Sequence, residues 1–448
     1  IHESRIYWSP DNILFSIGLS EHNKISTQRT GSITPTYSLN LDRNYKMNYR
    51  ITKNIKFGYQ YDVNSNFDDI FIPNGESLAS NIPDVISSVF TEDPDSSMGL
   101  VKSKHESLVM NFTPDYMKWL NPNIKYSSAY AWSLSNNNQN AAVLSSGGTL
   151  VSSVGFSLKN LVENYYKPEE SRRNNRRRGK SNKTDDKDIV EIKNPTLKSI
   201  LKSAHSFSDR FSKINITHSY SSTNEFGNIL VTEDPTIYYR FGLSGNPHNG
   251  TAIYDENNGS VNSFFRQYNN DFKISTNMSL TKKIQAGIDY RDSRNLILSS
   301  TSPTTENFSN TFFPLGIRGD EGFPIFNWNI NWSGLEKFFY LDKIFRTISI
   351  QHVFNGDYTS SYRDEELQNW GYSRNFAPLF GLTAKTNNKN PYTFRFNYTQ
   401  TLNITNSGIS TEQQHTQQAN GRIEFFRKGG LRIPIFFFRD FNISNDIN

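Results

Sequence analysis

NYKMNYRITKNIKFGYQYDV, residues 44–63, decides how this chain is read. Tyr45, Met47, Tyr49 and Ile51 share one parity, and Asn44, Lys46, Asn48 and Arg50 share the other. After Thr52-Lys53-Asn54, Ile55, Phe57, Tyr59, Tyr61 and Val63 alternate with Lys56, Gly58, Gln60 and Asp62. Period two places an apolar face and a polar face on each strand, and the tight link predicts a hairpin. The same pattern returns at residues 271–292, around Thr281-Lys282-Lys283, and at residues 380–404, where Tyr392, Phe394, Phe396 and Tyr398 oppose Thr393, Arg395 and Asn397. A fourth hairpin is expected around Lys428-Gly429-Gly430.

The chain has 448 residues, and only 35% are apolar, with a mean hydropathy of −0.64. Aromatics supply 14%, led by 33 Phe and 23 Tyr, which suits strands more than a packed aliphatic core. Without cysteine, disulfides, zinc–thiolate sites and a Cys nucleophile are excluded. No apolar run approaches the ~18 residues of a membrane helix. The net charge of +5 is small for this length and does not indicate nucleic acid. The chain opens on Ile1 inside a strand-like pattern, so an internal piece of a longer protein is expected.

The fold class expected is all-β: roughly sixteen antiparallel strands of a transmembrane β-barrel, with short amphipathic helices at some turns. Tight links at 52–54, 281–283, 387–390 and 428–430 alternate with long polar connections at 64–104, 136–147, 300–324, 360–375 and 405–415. That asymmetry matches short periplasmic turns and long external loops. Residues 244–262 fit no element. A soluble β-sandwich also alternates. Aromatics at strand ends, polar faces rich in Lys, Arg, Asp, Asn and Gln, and repeated hairpins favour the barrel. Residues 1–448 then form part of one barrel domain, interrupted at 160–207 by a helical and basic insertion.

FSKINITHSYSS (211–222) and FRTISIQHVFNG (345–356) are near copies. Each follows a helical pattern: residues 194–210, with Leu197, Ile200, Leu201 and Ala204, and residues 334–344, with Leu335, Phe338, Phe339 and Leu341. Residues 114–132 read as a shorter third example. These helices fall on the side of the tight turns, at a membrane interface or a barrel rim. His218 and His352 share parity with apolar neighbours and read as rim or interfacial histidines; no further donor accompanies them in a metal-ligand spacing.

GFPIFNWNINWSGLEKFFYLDKIFRTISIQHVF, residues 322–354, resembles the SprA/Sov family, the outer-membrane translocon of the type IX secretion system. Pro324, Asn327, Trp328, Gly334, Leu335, Phe345, Arg346 and His352 match its motif, and His218 stands in the earlier copy. Residues 265–295, 376–404 and the ending LRIPIFFFRDFNISNDI are also similar, whereas residues 1–264 agree in pattern only. The resemblance implies a protein-conducting channel in the bacterial outer membrane, not an enzyme, with no cofactor. It exports folded cargo bearing a C-terminal secretion signal, including gliding adhesins. Expected partners are a small barrel of the PorV type, a periplasmic plug protein and outer-membrane lipid, and no nucleic acid. Family members are several times longer, so this chain corresponds to a segment of a very large barrel. A TonB-dependent type of transporter or porin, and a soluble or surface structural β-protein, are the other readings.

The run at 169–188 holds eight Lys/Arg and five Asp/Glu without aromatics, and reads as a solvated insertion. Asp68, Asp69, Glu92, Asp93 and Asp95 lie in a polar loop that lacks EF-hand spacing. GNPHNG, residues 245–250, is a turn without the Lys-Ser/Thr of a phosphate loop.

Overall fold

The structure is a computed structural model, and it describes residues 5–27, 31, 33–66, 100–114, 117, 119–135, 138–166, 195–230, 234–247, 263–311, 326–338, 340–388, 390–425, 431–435 and 438–443. Fifteen strands form one antiparallel sheet in which chain neighbours are sheet neighbours. They are β1 (Asn12–Thr27), β2 (Ile33–Thr52), β3 (Ile55–Asn66), β4 (Leu100–Phe112), β5 (Leu120–Ser135), β6 (Asn138–Phe156), β7 (Ile214–Leu230), β8 (Phe264–Ser279), β9 (Ile284–Ser299), β10 (Thr305–Thr311), β11 (Asn327–Ser333), β12 (Phe345–Arg363), β13 (Glu366–Thr386), β14 (Tyr392–Asn406) and β15 (Thr411–Phe425). β16 (Leu431–Ile435) and β17 (Phe438–Ile443) make a separate ribbon. Among the described residues no pairing joins β1 to β15, so the sheet is open.

The three hairpins predicted from alternation are present at the expected links. The turn at 428–430, the acidic stretch 67–99 and the basic run 169–188 lie outside the described residues. Three expected loops are corrected to strand. Residues 138–156 are all β6, Asp364 and Glu365 alone link β12 to β13, and β14 and β15 are separated by residues 407–410. Their strands are rich in Asn, Ser and Gln, and polarity was mistaken for irregularity. Asp364 and Glu365 both take positive φ, 49° and 69°, the twist a two-residue hairpin needs. The expected loop 300–324 contains β10.

The helical segments expected at the tight-turn end lie there but differ in extent. The insertion is bounded by α1 (Leu158–Glu163) and α2 (Pro195–Ser208); residues 167–194 are outside the described set. At 334–344 there is no amphipathic helix. Two single 3-10 turns, Leu335–Lys337 and Leu341–Lys343, are separated by extended Phe338 and left-handed Tyr340 (φ 56°). In the shorter third unit, residues 114–132, the strand is present as β5 from Leu120, while residues 115, 116 and 118, where its short helix was expected, lie outside the described residues.

β10 and β11 share one place in the sheet. Both pair with β9 and β12, β10 along the halves near the long loops and β11 along the halves near the tight turns. The register assigns every side chain to a face. One face carries Tyr45, Met47, Tyr59, Leu108, Met110, Tyr126, Leu150, Ile216, Ile274, Ile288, Trp328, Ile350, Leu382 and Phe396. The other carries Asn44, Gln60, Ser107, Thr223, Gln267, Asn269, Asp271, Asn329, Gln351 and Asn397.

On the aromatic face an apolar run, much of it exposed, occupies the half of each strand nearest the tight turns, with Ser152, Thr276 and His218 as exceptions. Above it runs a polar belt, Arg43 on β2, Glu106 on β4, Ser128 on β5, Ser222 on β7, Asn270 on β8 and Asp292 on β9, and beyond the belt a second apolar patch of Leu39, Leu41, Tyr130, Trp132, Leu144 and Phe226 is buried. The register row Tyr45–Tyr61–Glu106–Tyr130–Ser146–Asn224–Arg266–Leu298 is a ruler for the belt. Arg43 lies two residues above the row and Asp292 six below it, a drift of about one residue per strand. With ~3.3 Å per residue and ~4.8 Å between strands, a level edge requires strands tilted by about 35°.

Candidate functional site

The family-motif residues fall into separate places. Trp328 on β11 stacks on Phe354 of β12 with ring centroids 4.4 Å apart, and Phe354 lies 5.2 Å from Phe376 of β13. His352 joins this cluster, 6.3 Å from Trp328 and 5.6 Å from Phe376. Phe354 is fully buried. Three residues of β12 between Gln351 and Asn355 face five of β13 between Asn375 and Gly381, a bulge at Ala377-Pro378-Leu379. Proline cannot donate to a ladder, which confines it to edges and bulges. The carbonyl of Leu379 faces the Nδ1 of His352 at 2.7 Å. Asn327 Oδ1 accepts from the backbone N–H of Gly356 at 2.8 Å, where β11 ends its pairing with β12.

Gly334 is left-handed (φ 78°), and Lys283 Nζ donates to its carbonyl at 3.2 Å. Leu335 opens the next turn, and Glu336 Oε2 accepts from Ile348 N at 3.0 Å, one position beyond the last β11 pair. Burial opposes ionisation of Glu336, but the Ile348 N–H and nearby Lys283 and Lys337 hold its carboxyl below the usual range. Phe345 lies 6.5 Å from Phe394 near the lower strand ends, and Arg346 is exposed. Pro324 lies outside the described residues. His218 stands on β7, with Nε2 2.7 Å from Asn270 Oδ1 across to β8. The two histidines share a face and a sequence context but not a partner.

The polar face is laced by cross-strand contacts: Asn44 to Asp62, Asn64 to Asp42 at 2.7 Å, Arg291 to Asp271 at 3.2 Å and Ser309 to Asp357 at 3.0 Å. A recess of about 310 Å³ opens on it, lined by Asp357, Thr359, Ser373, Asn403, Glu412 and Gln414. Among the described residues no three His, Asp or Glu side chains stand together as metal ligands.

A second constellation escaped the sequence reading. Residues 234–247, with α3 (Ile237–Arg240) at their centre, form a strap across the aromatic face above its apolar half. Tyr239 inserts against Tyr130 and Phe226, and its hydroxyl donates to Asn224 O at 3.2 Å. Its phenol is held well above the usual range by burial. Ser146 Oγ and Tyr126 Oη donate to the carbonyls of Tyr239 and Phe241. Arg240 pairs through Nε (2.8 Å) and Nη2 with Glu106, which is 2% exposed, and Tyr59 Oη donates to the same carboxylate at 3.2 Å. Gly242 (φ 67°) fits a notch made by Gly147 and Gly148, where a Cβ would meet Gly148 N at 2.6 Å. The only local signals were Gly-Gly inside a strand and an isolated Gly in a turn, both of which mark close backbone approach.

No family model and no curated protein matches the chain. No helix among the described residues is long and apolar enough to cross a membrane, which leaves crossing by strands untouched.

Proposed function

We propose that the chain is a sector of a β-barrel in a bacterial outer membrane, its aromatic face toward lipid and its polar face lining a water-filled passage. The observation that carries this reading is the polar belt that bounds the exposed apolar run, which slips by about one residue per strand on average, while the apolar residues beyond it are buried. A soluble sheet has no reason to keep such an edge, whereas a bilayer requires it of strands tilted ~35–45°. Ile284 to Asp292 spans about 20 Å along the membrane normal at that tilt, near the ~25 Å apolar band of such barrels. The upper strand halves then project beyond the bilayer, and the strap with its Glu106–Arg240 pair stays clear of hydrocarbon, where irregular backbone is not tolerated.

Within this reading the passage conducts folded proteins outward, as the type IX translocon does. The resemblance of residues 265–448 to the SprA/Sov family supports it, with a PorV-type barrel, a periplasmic plug and signal-bearing cargo as partners. The role is transport, not catalysis.

The cysteine-free chain allows a direct test. Cysteines replace Phe396 on the aromatic face and Asn397 on the polar face, and isolated outer membranes are treated with a water-soluble maleimide. Labelling at Asn397→Cys alone is expected; equal labelling at both overturns the membrane reading. A photocrosslinker at position 397 should trap a secreted protein in transit, and a cross-link to nothing larger than solutes would leave a porin.

A further inference from the structure

Helix α2 carries large apolar side chains that stand exposed among the described residues. Leu197 is 48% exposed, and Ile200 and Phe207 are each 59% exposed. Ile200 and Phe207, seven residues apart, share one side of a helix with 3.6 residues per turn, and Leu197 flanks them toward the side that carries Leu201, Ala204 and Ser208. The side next to Ile200 and Phe207 is covered: His205 Nε2 stands 3.4 Å from Glu163 Oε1 of α1, Tyr166 packs against His205, and Ser208 is buried.

The Ile200–Phe207 strip has a fixed place in the fold. Ser279 N donates to Arg210 O at 2.6 Å and Ser212 N to Asn277 O at 2.8 Å, which ties the end of α2 to the lower rim of the sheet. The Phe207 ring lies 5.0 Å from that of Phe211, and Phe211 bridges Met278 of β8. Met278 pairs with Ala286 on the aromatic face. The exposed strip of α2 therefore continues the apolar half of that face around its lower edge. Lys198 and Lys202 sit on the opposite side of the helix from Ile200 and Phe207, and both are exposed.

We propose that α2 lies in the membrane interface, with Ile200 and Phe207 inserted among the acyl chains of the leaflet at the tight-turn side and the opposite, lysine-bearing side turned to water. This rests on the outer-membrane reading above. The occupant is a lipid surface because the strip is continuous with the lipid-facing half of the sheet. A helix of 14 residues spans about 21 Å, enough to lie in the interface and too short to cross.

The test uses single-cysteine spin labels on the full chain in nanodiscs of phosphatidylethanolamine and phosphatidylglycerol. Labels replace Ile200 on the strip, Ser206 on another side of α2, Phe396 on the aromatic face and Lys46 on the polar face. All four sites are exposed, so folding is not at stake. The expected result is a severalfold higher ratio of oxygen to nickel-chelate accessibility at Ile200 than at Ser206, approaching that at Phe396. A low ratio at Ile200 with a high ratio at Phe396 overturns the interfacial helix and leaves the barrel standing. Low ratios at both Phe396 and Lys46 overturn the membrane reading, and the helix proposal with it.

Discussion

His352 holds the carbonyl of Leu379 at 2.7 Å from its Nδ1, in place of the ladder partner that the β13 bulge removes. A carbonyl only accepts, so Nδ1 carries the proton. His352→Phe keeps the ring stack with Trp328 and Phe376 and strands that carbonyl, at an expected cost of about 1–3 kcal/mol. His218→Phe removes only an exposed contact to Asn270 and should change stability by less than about 0.5 kcal/mol. Urea unfolding of the two variants side by side checks the contrast; equal effects would refute the role given to the bulge.

The strap depends on Gly242. Gly242→Ala adds a left-handed penalty of about 1–2 kcal/mol and a clash with the Gly147–Gly148 backbone. Gly31 also has positive φ (83°) but has open space around its Cβ position, so Gly31→Ala should show the backbone penalty alone. Hydrogen exchange across residues 234–247 should accelerate in the first variant and stay unchanged in the second.

Glu106 is buried because Arg240 covers it. Arg240→Met leaves a buried carboxylate with Tyr59 as its remaining named donor, and should cost about 3–5 kcal/mol. The double variant Glu106→Leu with Arg240→Met should recover most of that loss, since it removes the charge together with its partner. Thermal melts of the single and double variants decide it: additive losses would contradict the pairing.

The bond from Lys159 to Asp209, 2.6 Å, joins α1 to the end of α2, and it holds the Asp209 carboxyl below the usual range. A carboxylate with a depressed folded-state pKa contributes stability above its unfolded value and loses it as pH falls through the folded one. The α1–α2 contact should therefore persist from neutral pH through the ordinary carboxylate range and weaken only below it. Both groups are about half exposed, so the effect stays within about 1 kcal/mol. The mobility of a spin label at Ser206, followed against pH, should rise only at the acid end, whereas in Asp209→Asn it should already be raised at neutral pH and lack that acid step.

Much of the sheet was legible in local sequence. Residues 44–63 show both faces and the turn, because strand alternation and tight turns depend on neighbours in the chain. Polar strands were not legible: β15, TEQQHTQQANGRIEF, has so little apolar contrast that its first residues read as loop. The 3-10 turns near Leu335 and Leu341 looked helical because an apolar spacing of three and four says nothing of a left-handed Tyr340 between them.

The candidate site divides the same way. The matching residues Asn327, Trp328 and His352 were visible in sequence, while Phe376 and the carbonyl of Leu379 became their partners only through the bulge. Nothing in the sequence linked Glu106 to Arg240, 134 residues apart.

By itself, the sequence determined that this chain is made of strands with one aromatic and one polar face, turning tightly at one end. That much follows from a period of two residues. The tertiary structure alone decided the drift of the apolar edge, the shared place of β10 and β11, the strap over Glu106 and the rim position of α2. Each of these depends on which distant residues stand side by side, and register between strands is set by the summed fit of all their partners rather than by any one segment.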